Sequence, residues 1–283
     1  MAAKTALSDN WNISAFVTDP STDRAQALKK YSDKVTLYKG TLADSTSLEA
    51  ALKGVDALFL NQYPSFTDDS ETRQARNILQ LAKAAGVKHV VHSTQLGLAD
   101  PDFLNDKRWK TIIAPAVMGK YEVEKLVRAS GIPWTILRPG WFMSNVTSPT
   151  VNHYLPGTAD GQIVTSFKPD GILAAVDTDD IGAFAAAAFN DPEKFVGWHV
   201  PVASECLTTA ELIDQISRVT GRSYNVHYRT AEETAALSHD PFTLGQSLTH
   251  GLEKLANMDE IKSYGVQLTS FHEYLLKNKD KLA

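Results

Sequence analysis

Apolar and polar positions alternate in short blocks through the first half of the chain. NISAFV, residues 12–17, alternates with a period of two and stops at Thr18-Asp19-Pro20, which reads as a strand and a turn. Residues 21–31 carry helical spacing and KVTLYKG (34–40) is a second strand. Thr46 to Leu52 opens a helix in which Thr46 and Glu49 have the spacing of a capping box. VDALFLNQ (55–62) is almost continuously apolar, as a parallel strand covered on both faces must be. A longer amphipathic helix presents Ala75, Ile78, Leu79 and Ala82 on one face and stops at Gly86. The strand VKHVVHST (87–94), a loop, a helix over 115–129 and the strand WTILRPG (134–140) follow. This alternation predicts right-handed crossovers and a doubly wound parallel α/β sheet.

Beyond Asn145 the rhythm gives way to a stretch rich in proline and glycine as far as Gly171, the predicted start of a smaller lobe. An acid-capped, alanine-rich helix at 176–191, a strand at 197–204, a helix capped by Thr208 and Glu211 and a last helix at 270–277 complete the pattern. The predicted organisation is a sheet domain over 1–145 and a substrate lobe over 146–283, with 197–204 returning to the sheet.

The length, 283 residues, is enough for one large α/β core with an appended lobe. A net charge of −5 removes the basic footprint that nucleic-acid contact needs, so none is expected. Cys206 is the only cysteine, which excludes an internal disulfide and a thiolate zinc site and fits a reducing, cytoplasmic setting. His92, His153 and His199 lack metal-ligand spacing, so no metal is expected, and there is no Gly-x-Ser-x-Gly elbow. No apolar run approaches the ~20 residues that span a bilayer. The expected partner is a small-molecule substrate, with a homo-oligomer left open.

Ligands of open parallel sheets sit beyond the carboxyl ends of the strands. That rule singles out Thr18, Asp19, Asn61, Gln62, Ser93 and Thr94 as cofactor contacts, and Gln95, Trp141, Phe142 and Asn145 as substrate contacts. Asp19 either accepts from a ribose hydroxyl or only shapes its turn. Trp141 and Phe142 either line a flat apolar pocket or pack as a hinge between sheet and lobe. Tyr121 and Lys125 have a YxxxK spacing, but Ala116, Gly119, Val123 and Val127 form the inward stripe of their helix, which turns that pair outward. Lys120 lies ~60° from Val123, at the edge of the stripe. It is the candidate catalytic acid/base, the alternative being a lysine that snorkels to solvent.

The segments AFVTDPS, YKGTLADSTSLEAALKGVDALFLN, AGVKHVVHST, GKYEVEKLVRASGIPWTILRPGWFMSN and VDTDDIGAFAAAAFNDPEKFVGWHVPVASECLTTAELIDQISRVTGR together resemble the NmrA-like family of atypical short-chain dehydrogenase/reductase relatives. The resemblance implies a Rossmann-like domain, NAD or NADP as cofactor, and Lys120 as the lysine of a K-x-x-x-E pattern ending at Glu124. It also admits both reductases and regulators that bind NADP without turnover.

Three departures accompany it. The family's first strand and glycine-rich phosphate loop are expected to be missing, because residues 1–11 hold neither; Thr18 stands where an arginine would meet the 2′-phosphate; and Ala116 replaces a tyrosine. The expected function is therefore an enzyme of NAD(P)H-dependent oxidoreductase ancestry with weakened or lost cofactor binding. The alternatives are a redox-neutral isomerase, dehydratase or cyclase in the same cleft, and a non-catalytic regulator or binding module.

Overall fold

The computed structural model describes residues 11–282. In chain order the first elements are β1 (Ile13–Val17), α1 (Asp23–Lys29), β2 (Val35–Lys39), α2 (Ser45–Leu52), β3 (Ala57–Leu60), α3 (Ser70–Ala84), β4 (His89–Ser93), α4 (Ala114–Ala129) and β5 (Trp134–Pro139). They are followed by β6 (Trp141–Phe142), α5 (Val151–Tyr154), β7 (Gln162–Thr165), β8 (Ile172–Val176), α6 (Thr178–Asn190), α7 (Pro192–Phe195) and β9 (His199–Val202). The chain continues through β10 (Glu205–Thr208), α8 (Thr209–Thr220), β11 (Asn225–Tyr228), α9 (Ala231–Ala236), α10 (Pro241–Leu248), α11 (Met258–Ser263) and α12 (Phe271–Lys277).

The chain divides into two compact units, each assembled from three segments. The first takes the residues up to Thr94, Pro115–Leu137 and Gly182–Val200; the second takes Gln95–Ala114, Arg138–Ile181 and Pro201–Ala283.

In the first unit β1 and β2 pair in parallel, Ile13 opposite Val35, and β3, β4 and β5 pair in parallel in a sheet ordered β3-β4-β5-β9. The bonds Gly197 N to Trp134 O, Ile136 N to Trp198 O and Gly140 N to Val202 O advance together along β5 and β9, so that pair is parallel too. Among the described residues β1 is paired on one side only, with β2. The expected absence of a first strand and loop concerns residues 1–11, and residues 1–10 lie outside the described residues. Leu48 and Leu52 of α2 join Leu60 of β3 and the α3 stripe Ala75, Ile78, Leu79 and Ala82 in one core, with Phe16 of β1 packed against it. That stripe is the one the helical period predicts.

One cap differs from expectation. Asp44, not Thr46, caps α2, its side chain accepting from Thr46 N, because a carboxylate one residue before the helix reaches the first free amides better than a hydroxyl inside it.

In the second unit β8 is central, antiparallel to β10 and parallel to β6, while β7 and β11 form a parallel pair. Beyond Asn145 the loop-rich expectation thus gives way to short strands set between turns that carry the glycines and prolines. The predicted Thr208/Glu211 capping box opens α8, which packs with α12 over a core containing Trp141, Leu212, Ile216 and Phe271. The acidic run from Asp177 into the first turn of α6 is structural. Asp180 accepts from Ser204 Oγ at 2.6 Å and Thr269 N at 2.8 Å, and Lys277 Nζ pairs with Asp179 at 2.6 Å and Asp177 at 3.5 Å.

Candidate functional site

The carboxyl ends of β3, β4 and β5 lie at one edge of their sheet, Leu60 opposite His92 and Ser93 opposite Leu137. A buried polar network occupies this edge. Gln62 donates through Nε2 to Glu71 O (2.9 Å) and Gln74 Oε1 (3.2 Å). Lys120, from the edge of the inward stripe of α4, donates to Gln62 O at 2.8 Å and pairs with Glu71 Oε1 at 2.6 Å. Both charges are withdrawn from water, their side chains being 12% and 2% exposed. Gly119 makes room for this pair, since a Cβ there would stand 2.8 Å from Glu71 Oε2. Burial raises the Glu71 pKa, opposed by the Lys120 charge and its hydrogen bond.

His92 is fully buried, with Nδ1 2.9 Å from Leu60 O. A carbonyl there requires the proton on Nδ1, which leaves Nε2 as a buried acceptor with no partner among the described residues. Burial holds its pKa down at about 4, against the pull of the Leu60 carbonyl. Thr94 Oγ1 donates to Glu124 Oε1 at 2.8 Å, and His199 Nε2 stands 3.8 Å from Glu124 Oε2.

The predicted cofactor contacts fall into two groups. Gln62, Ser93 and Thr94 are buried, and Gln62 and Thr94 are engaged with Glu71, Gln74 and Glu124. Thr18, Asp19 and Asn61 are exposed. Asp19 Oδ1 accepts from Ser21 N (2.9 Å) and Ser21 Oγ (2.7 Å), and these bonds lower its pKa. The carboxylate therefore shapes the turn and stays ionised. Tyr121 and Lys125 lie away from the network, Lys125 bonding Glu122 and standing 5.5 Å from the Tyr121 ring.

In the second unit the predicted substrate residues Gln95, Trp141, Phe142 and Asn145 line one cavity of about 250 Å³. Trp141 is buried and meets Tyr154 and Phe167 edge-on, at 6.4 Å and 6.1 Å between ring centroids. It is thus both a core residue and a cavity wall. Gly140 permits the close approach of β8, because a Cβ there would lie 2.1 Å from Ala174 O. Two buried donors, Gln95 Nε2 and Trp141 Nε1, have no hydrogen-bond partner among the described residues. Sequence reasoning missed Glu71 and the cavity residues Tyr154, Thr249 and Leu252. Glu71 sits in the polar stretch SETRQ, which reads as a solvated first turn, and the others are distant in sequence. Among the described residues no group of His, Cys, Asp or Glu is arranged to hold a metal ion, and no helix is long and apolar enough to cross a membrane.

The chain is 32% identical over 191 residues to (4-alkanoyl-5-oxo-2,5-dihydrofuran-3-yl)methyl phosphate reductase of Streptomyces griseus, a match covering 66% of this chain and 60% of that protein. It is 30% identical over 202 residues to the NAD(P)H azoreductase of Xenophilus azovorans, covering 71% and 64% respectively. These matches span less than two thirds of the length of either relative. In fold it is similar to NmrA, a negative transcriptional regulator solved in complex with NAD, with a TM-score of 0.72, 21% identity and coverage of 95% of this chain and 89% of that one. The model of the NmrA-like family matches residues 1–275, and with the parallel strands and the crossovers in place the chain belongs to the NmrA-like family.

Proposed function

We propose that the chain is an NAD(P)H-dependent oxidoreductase that reduces a small planar acceptor bearing carbonyl-type oxygens. The observation that carries this reading is the pair of buried donors without a hydrogen-bond partner among the described residues, Gln95 Nε2 and Trp141 Nε1, on residues lining a single cavity. A buried donor without a partner costs ~1–3 kcal/mol, and a ligand oxygen relieves that cost. The reductase names of two relatives support reduction as the reaction type.

A bound nicotinamide supplies the hydride. Trp141, braced by Tyr154 and Phe167, offers a flat wall against which an aromatic acceptor lies, and the Gln95 and Asn145 carboxamides orient its oxygen. Lys120 is proposed as the proton-transfer group. Gln62 O and Glu71 take two of its N–H groups, and the third has no partner among the described residues. On the cofactor side, the Asp19 carboxylate favours a ribose hydroxyl and disfavours a 2′-phosphate, while nearby Lys39 offsets that repulsion. Binding is therefore proposed to be without preference between NADH and NADPH.

The test is turnover of menadione with each reduced nicotinamide, comparing the unmodified chain with Trp141→Phe, which keeps a ring and removes the N–H. The expected loss in kcat/KM is about 10-fold. Nicotinamide binding without oxidation by quinone or azo acceptors would instead favour a regulator.

A further inference from the structure

The cavity behind Trp141 has a neighbour. A second cavity of about 440 Å³ shares Leu173 and Thr249 with the first, and both belong to the second unit. At about 250 Å³ the first is smaller than the ~300–1,000 Å³ typical of small-molecule sites, whereas the second falls within that range. The two are also tied together mechanically. Gln246, buried in α10, accepts from Thr165 Oγ1 (3.1 Å) and Ser166 N, and donates through Nε2 to the carbonyl of Tyr154. One carboxamide thereby braces Ser166 in the wall of the second cavity against Tyr154 in the wall of the first.

The lining of the second cavity is one-signed. It contains no aspartate or glutamate, although the chain as a whole carries a net charge of −5, and it includes Lys168 and Arg229. The Lys168 ammonium has no partner among the described residues. Arg229 makes one long bond, from Nη1 to Ser166 Oγ at 3.4 Å. Glu233 and Asp240 feel the Arg229 charge, but each is engaged elsewhere, Glu233 with His227 and Thr230 and Asp240 with Thr243. Phe167, Ile172 and Leu244 supply apolar wall in the same cavity.

We infer that the second cavity is a substrate-tail site, which receives an apolar chain ending in an anionic group, carboxylate or phosphate, held by Arg229 and Lys168. The substrate class is then an anionic amphiphile whose acceptor head occupies the first cavity. The head's placement rests on the reading given under Proposed function; the tail site does not, and it is measured by binding alone.

The full-length chain is titrated calorimetrically with octyl phosphate, octanoate, octanol and inorganic phosphate. Octyl phosphate or octanoate is expected to bind at least about 10-fold more tightly than either octanol or inorganic phosphate, the tighter of the two identifying the anionic group. Arg229→Gln is expected to weaken that binding about 10-fold or more, and Ala235→Trp, which fills the cavity from α9, to abolish it, with thermal transitions unchanged in both. Equal affinity for octanol would overturn the anionic assignment. Inorganic phosphate binding as tightly as octyl phosphate, or indifference to both substitutions, would overturn the site. Absence of menadione turnover together with intact octyl phosphate binding would sink the reductase reading and leave the tail site standing.

Discussion

Lys120 and Glu71 compensate each other's burial, and removing one partner strands the other. Lys120→Met is expected to cost about 3–5 kcal/mol in denaturant unfolding, because the Glu71 carboxylate is left in a site 2% exposed. The double variant Lys120→Met with Glu71→Gln should recover most of that loss while leaving turnover abolished. Recovery of turnover as well would show that the lysine serves packing and not proton transfer. The edge position of Lys120 follows from helical phase alone, but its partner does not, since nothing local distinguishes Glu71 from a solvated first-turn acid. His92 carries the second prediction. Its folded pKa of about 4 lies below the ordinary 6.5 because burial penalises the imidazolium. Between those values the unfolded chain binds a proton that the folded chain refuses, so this contribution is intact above pH ~6.5 and falls as the pH drops through the window. At pH ~5 the loss is about 2 kcal/mol. Glu71 acts in the opposite sense, its raised pKa contributing stability at low pH that is lost as the pH rises. His92→Gln should therefore shrink the stability difference between pH ~7.5 and pH ~5 by about 2 kcal/mol. An unchanged difference would mean that other groups govern the acid limb.

At the scale of elements, periodicity and punctuation were enough for the long pieces. The stripe of α3 and its stop at Gly86, whose φ is 81°, were legible because a helix 15 residues long repeats its signal several times. The strands β7, β8 and β11 lie outside the regular strand–helix alternation that made the equally short β1 to β4 legible, so no repeating pattern marks them. The junction of β5 and β6 shows what strand pairing demands. Gly140 lets the backbone of β8 approach, and Gly140→Ala would drive a methyl group into Ala174 O. The expected cost is about 1–3 kcal/mol or more in chemical denaturation, since β8 is held on both sides by β6 and β10 and has little freedom to retreat. A neutral substitution would show that this strand yields.

Across the whole molecule, each unit is assembled from three separated segments. Titration with NADH and NADPH is expected to give no discrimination between them, because Asp19 and Lys39 offset each other towards a 2′-phosphate. Micromolar NADPH binding with clear preference over NADH would overturn this. The order of strands and helices, the parallel class of the sheet and the candidate residues at strand ends were determined by the sequence, because periods of 2 and 3.6 residues and helix stop signals are properties of adjacent residues. The tertiary structure alone decided which buried polar groups meet, that Glu71 answers Lys120 while Gln95 and Trp141 keep donors without a partner among the described residues, and that Gln95, Trp141, Tyr154 and Thr249 line one cavity. Those outcomes depend on contacts between segments tens of residues apart, which no local periodicity encodes.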